Sequence, residues 1–251
     1  TVHTGGVEGL DLNGEDMIAG VWDGGLVRES HNLLEDRVLQ IDNPGSISSH
    51  ATHVSGTMVG GASQVNGQAK GMAPMAELLA YDFGGDEPEM TNAAANGLLI
   101  SNHSYGIPAD NIPLWYLGYY DSNARNIDRI IYNAPYYLPV MAAGNDRQSG
   151  ANSEDGGYDY LTGNAVSKNN IVVAATFEVL EYEDASDVFM SSFSSWGPSD
   201  DGRIKPDISA KGVNMYSSTG ASNGSYANFS GTSMSAPNVS GSLLLLQQHY
   251  N

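Results

Sequence analysis

A chain of 251 residues with 41% hydrophobic and only 16% charged residues is globular rather than disordered, and long enough to bury most of the surface its unfolded form exposes. Its 29 acidic against 10 basic side chains give a formal net charge of −19, which argues against nucleic acid and anionic membranes as partners. There is no cysteine, so disulfides, thiolate catalysis and cysteine-held metals are excluded, and no apolar run approaches the roughly 18 residues that a membrane-spanning helix needs.

Taken in chain order, Met17–Asp23 reads as a buried strand that ends in a carboxylate and a Gly-Gly turn. Ala76–Asp82 is a second strand, Pro88–Leu99 has helical spacing, and Leu99–Tyr105 is a third strand. Asp121–Asn133 predicts an amphipathic helix stopped before Pro135. Leu138–Ala142 and Ile171–Thr176 are further buried strands, and Ser233–His249 carries an apolar helical pattern. Strand–helix alternation without a linker or repeat predicts one α/β domain over residues 1–251, a doubly wound, mostly parallel sheet with helices on both faces. In such sheets the ligand site lies beyond the carboxyl ends of the strands, where Asp23, Tyr105 and Asn145 fall. Glu178–Asp187 is an acidic segment expected to be a solvated loop. Most of the acidic surplus reads as solubility, and a minority as calcium sites, since hard cations select oxygen ligands.

Four short segments carry chemistry: Val21-Trp22-Asp23-Gly24-Gly25, Ser49-His50-Ala51-Thr52-His53, Ala142-Ala143-Gly144-Asn145 and Gly231-Thr232-Ser233-Met234. A serine hydroxyl needs a neighbouring base, and imidazole serves well near neutral pH. A buried carboxylate fixes the imidazole tautomer, and an Asn amide beside the nucleophile's own N–H supplies two oxyanion donors. Each piece alone is ordinary: an Asp after a strand forms turns, a His on a helix packs or caps, and Gly-Thr-Ser resembles a helix cap.

In the order Asp, His, Asn, Ser they resemble the subtilase family, with a histidine motif close to HGTHVAGT, an AAGN motif and GTSMSAP around the serine. Gly71-Met72-Ala73-Pro74 and the stretch from Phe193 to Asp207 are similar to further family segments, so the resemblance runs from about Leu10 to the C-terminus. It implies a secreted bacterial serine endopeptidase that acts on protein or peptide substrates through Asp23, His50 and Ser233, with Asn145 in the oxyanion hole. It also implies that Ser104-Tyr105-Gly106 pairs with an extended substrate and forms one wall of the specificity pocket, Ala143-Gly144 forming the other. His53, one turn after His50, has a structural reading, and zinc is not expected because no Glu lies between them and no third ligand is evident. His3, His31, His103 and His249 read as surface or satisfied histidines.

Three departures stand out. Gly24 replaces the Thr or Ser usual after the aspartate, Ala51 replaces the Gly after the histidine, and only 18 residues follow Ser233. Leu243, Leu244, Leu245 and Leu246 cover more than one face of the last helix, which predicts burial on all sides. The expectation is therefore cover by a bound C-terminal fragment or a partner chain, in a domain lacking its last elements. Thr1 stands where an initiator Met would, which predicts a processed chain. The competing function is a catalytically silent binding module on the same scaffold, which would have no need of all four residues. An esterase of the α/β-hydrolase kind fails, because Ser233 does not sit in G-x-S-x-G and the one later histidine, His249, is on the serine's own helix.

Overall fold

The computed structural model describes every residue except 1, 4, 7 and 8; Thr1 thus lies outside the described residues. Seven parallel strands form one sheet in the order β2-β3-β1-β4-β5-β6-β7. They are β1 (Ile18–Asp23), β2 (Val38–Gln40), β3 (Glu77–Asp82), β4 (Ile100–His103), β5 (Leu138–Ala142), β6 (Ile171–Thr176) and β7 (Ile208–Lys211). A separate antiparallel pair, β8 (Met215–Ser218) and β9 (Tyr226–Phe229), precedes the last helix. The doubly wound α/β architecture read from the sequence is thus the one found.

Strand period places alternate side chains on opposite faces. Ala19 and Val21 of β1 join a core with Ala51, Val54 and Met58 of α1 (Ser49–Val59) and with Met234, Leu244 and Leu245 of α4 (Thr232–Tyr250). Trp22 joins the opposite core with Met90 of α2 (Asp86–Ala95) and with Ile127, Ile130 and Ile131 of α3 (Ser122–Asn133). The α3 start follows its sequence signal, for Asp121 caps it by accepting Ala124 N–H at 2.8 Å. Because β3 and β4 flank β1, the chain winds first to one side of β1 and then to the other. The crevice at such a switch point lies beyond the carboxyl end of β1, where Asp23 stands.

One expectation is corrected. The sequence reading omitted the short β2, β7, β8 and β9, whose burial is partial or alternating, so no apolar run marks them. The last helix is buried nearly all round only as far as Gly241. Beyond it Leu244 and Leu245 face the core, while Leu246 is 53% exposed, so residues 1–251 leave it uncovered. The acidic segment from Glu178 to Asp187 is an exposed loop, as expected.

The helix α1 packs directly on β8. Gly56 is the reason: a Cβ there would come within 2.3 Å of Ser218 Oγ and 2.4 Å of Ser217 Oγ, and Ser218 Oγ donates to Thr52 O in the same helix. Elsewhere in a helix Gly→Ala stabilises by about 1 kcal/mol. Here Gly56→Ala is expected to cost about 1–3 kcal/mol by overpacking, read as a lower denaturation midpoint. A variant as stable as the parent would show that the α1–β8 contact yields without cost.

Candidate active site

Asp23 ends β1, and its residue surface is only 3% exposed. Its carboxylate faces His50, the second residue of α1, whose Nδ1 lies 2.8 Å from Oδ1 and 2.9 Å from Oδ2. Ser48 caps that helix by accepting Ala51 N–H, which fixes the turn that carries His50. Gly24, the departure after the aspartate, has a structural reason. Its N–H donates to Asp23 Oδ1 at 2.7 Å, and a side chain there would meet the Phe83 ring at 2.9 Å. The backbone thus supplies a donor to the carboxylate where a hydroxyl was missing.

Asn145 follows β5. Its Oδ1 accepts from Thr232 N at 2.8 Å and from Thr232 Oγ1 at 3.1 Å, and Thr232 Oγ1 in turn accepts Gly144 N–H. With Oδ1 engaged, the Nδ2 group is the end left for the cleft. Ser233 is the second residue of α4, where backbone N–H groups have no partner within the helix. His50, Asn145 and Ser233 line one open cleft of about 360 Å³. The Ser233 hydroxyl donates to Ser104 O at 3.1 Å rather than to His50, and Ser104 Oγ donates back to Ser233 O. The structure therefore brings the four sequence-predicted residues together, with the serine rotamer turned towards β4.

Ser104, Tyr105, Gly106, Ala143 and Gly144, expected to form the two pocket walls, all line a second cavity of about 480 Å³ that also opens on Ser233 and Asn145. The sequence reading missed Thr232, which links AAGN to the serine helix, and the acidic residues Asp86, Glu87 and Asp146 of this cavity. The position of Thr232 beside Ser233 was a usable signal for the first. Nothing local marks the acidic residues, because they meet only through the fold.

The other histidines are satisfied or lie at the surface. His53 Nε2 donates to Met215 O and Ala227 O and its ring stacks on Phe229, tying α1 to the β8–β9 pair; burial lowers its pKa to about 4. His103 is fully buried, with its pKa pushed down to about 3. His3 and His31 bond backbone carbonyls, and His249 is exposed. Among the described residues, no group of three or more His, Asp or Glu side chains is arranged to hold a metal ion, so no side-chain cradle for calcium is found. No helix there is long and apolar enough to cross a membrane.

Burial alone would lower the His50 pKa, but the hydrogen bond and charge of Asp23 outweigh it and raise it above the ordinary value. The folded chain therefore holds this proton more tightly than the unfolded chain. The resulting stabilisation is complete below the ordinary histidine value of about 6.5 and is lost as pH rises through the raised folded value. An NMR titration is expected to place His50 above about 6.5, and Asp23→Asn to move it down. A midpoint indifferent to Asp23 would contradict the pairing.

The profile of the subtilase family matches residues 20–251. Among known proteins, the C5a peptidase of Streptococcus pyogenes serotype M3 is 51% identical over 84 residues, 34% of this chain and 7% of that protein. The PIII-type proteinase of Lactococcus lactis subsp. cremoris is 39% identical over 93 residues, 37% of this chain and 4% of that protein. The matched regions are thus under a tenth of those relatives' lengths. Among solved structures, the prenylagaramide maturation protease PagA superposes with a TM-score of 0.67 at 24% identity, covering 92% of this chain and 75% of that one. A cold-adapted subtilisin-like serine proteinase gives 0.67 at 21% identity, covering 96% and 78%. These two share the fold, and the profile match extends over nearly the whole sequence, including all four motifs that meet in the cleft: this chain belongs to the subtilase family.

Proposed function

We propose that this chain is a serine endopeptidase in which Ser233 is the nucleophile, His50 the general base and acid, Asp23 its orienting carboxylate, and Asn145 with the Ser233 N–H the oxyanion donors. The observation that carries this reading is the convergence of an Asp23–His50 pair, Ser233 and an Asn145 amide locked by Thr232 in one cleft. For reaction the Ser233 hydroxyl turns from Ser104 O to His50 Nε2. As Oγ bonds to the substrate carbonyl carbon, its proton passes to His50. The carbonyl oxygen becomes an oxyanion held by Asn145 Nδ2 and Ser233 N–H. The C–N bond then breaks, with His50 giving its proton to the leaving amine and an acyl group remaining on Ser233. Water, deprotonated by His50, repeats the attack and frees the acid.

An extended peptide laid along Ser104–Gly106, with Ala143–Gly144 opposite, would be held mainly by main-chain hydrogen bonds, which suits protein substrates of varied sequence. Residues 1–251 are read as one catalytic domain. Secretion is supported by the family membership and by the bacterial relatives. A structural calcium rests on acidic composition alone, and a melting temperature that rises with calcium is its expected signature.

Ser233→Ala is expected to abolish peptide hydrolysis with an unchanged melting curve. For Asn145→Ala the expected fall in turnover is roughly 10²–10³, a magnitude that subtilisin, itself a member of this family, supplies for the equivalent donor. A fluorophosphonate adduct on Ser233, seen by intact mass, separates the enzyme from a silent binding module. No adduct, or near-native turnover in Ser233→Ala, would overturn the assignment.

A further inference from the structure

The 480 Å³ cavity beside Ser233 is charged on one sign only: Asp86, Glu87 and Asp146 line it, and no Lys, Arg or His does. None of the three joins an ion pair among the described residues. Glu87 accepts from Asn126 through both oxygens, and Asp146 accepts Ala109 N–H. The helix dipole accounts for acidic residues in the first turn of α2. It does not account for the way Asp86 is held.

Asp86 terminates a hydrogen-bond chain buried under the cavity wall. A carboxylate only accepts, so Tyr105 Oη donates to Asp86 Oδ2 at 2.5 Å. The Tyr105 oxygen is then free to accept from His103 Nδ1–H at 3.0 Å. His103 is neutral, so with its proton on Nδ1 its Nε2 accepts from Ser101 Oγ at 2.8 Å, and Ser101 accepts from Tyr137 Oη at 2.6 Å. The chain Tyr137–Ser101–His103–Tyr105–Asp86 thus runs one way and pins the carboxylate in the cavity, where it could otherwise swing to solvent. Its Oδ1 accepts the Glu87 N–H at 2.8 Å, and no cation pairs with the carboxylate among the described residues. A long cationic side chain entering the cavity would find a fixed, uncompensated acceptor, whereas an anionic one would be repelled.

We propose that Asp86, pinned by Tyr105 and His103, is the specificity-determining residue of this cavity and selects substrates that place a lysine or arginine side chain in it. The inference rests on the peptidase reading for the identity of the cavity as a substrate pocket. Its test does not need hydrolysis. The Ser233→Ala protein is titrated by calorimetry with peptides of one sequence carrying Lys or Nε-acetyl-lysine at each position in turn. At one position the Lys peptide is expected to bind about tenfold or more tightly, an advantage that shrinks with salt. Adding Asp86→Asn, with its fold checked by a melting curve, should remove most of the advantage, and Asp86→Glu should restore part of it. Equal binding of Lys and acetyl-lysine peptides at every position would overturn the proposal without any change at Asp86. So would a Lys advantage that Asp86→Asn leaves intact. A wild-type chain that shows the Lys preference yet cleaves nothing would overturn the peptidase reading and leave this one standing.

Discussion

In a parallel sheet with crossover helices, the helices run against the strands, so helix starts and strand ends share one edge. That constraint organises this molecule. His50 is the second residue of α1, Ser233 the second of α4, and Asp23 the last of β1. Three elements far apart in sequence therefore present their chemistry at one edge. The Thr232 N–H is taken by Asn145 Oδ1 and the Met234 N–H by Gly231 O, which leaves the serine's own N–H as the helix-start donor beside its hydroxyl, at the positive end of the helix dipole. Close packing of α1 and α4 in one core holds the two helix starts in register, and small residues permit it. A Cβ at Gly241 of α4 would come within 3.2 Å of the Met58 carbonyl oxygen of α1 and within 2.6 Å of Met72 beside it.

The same side chain meets three fates within this frame. His50 faces a carboxylate, which holds its proton. His53, one turn on, faces two backbone carbonyls and an aromatic ring, and burial keeps it neutral. His103 lies stacked on Trp22 between hydroxyls and is neutral as well. A buried charge is tolerated where an opposite charge compensates it and refused elsewhere. Of these three, the histidine adjoining Asp23 is therefore the one that keeps its proton most readily.

Asn145 shows a second economy. One hydroxyl, Thr232 Oγ1, accepts from Gly144 and donates to the amide oxygen of Asn145, and the Thr232 N–H reinforces the same oxygen. The amide cannot flip without losing these bonds, so its donor end is fixed before any substrate arrives. Preorganised donors of this kind need no rearrangement as charge develops.

The long elements were legible in the sequence because their burial is one-sided or complete: Leu138–Ala142 and Ile171–Thr176 fall where the apolar runs lie, and Asp121 announces α3. The site residues were legible because their chemistry needs particular atoms in particular local turns, and Gly-Thr-Ser or Ala-Gly-Asn carry those turns with them. The edge strand β2, the β8–β9 pair and the exposed end of α4 were not, since half-buried segments leave no period to read. The sequence by itself determined which groups could react and in what order along the chain. Only the tertiary structure decided that Ser233 rests on Ser104, that Gly24 lies under Phe83, and that Asp86 and Asp146 share a cavity. Those facts depend on distances between segments tens of residues apart, and such distances are set by packing and carry no local pattern.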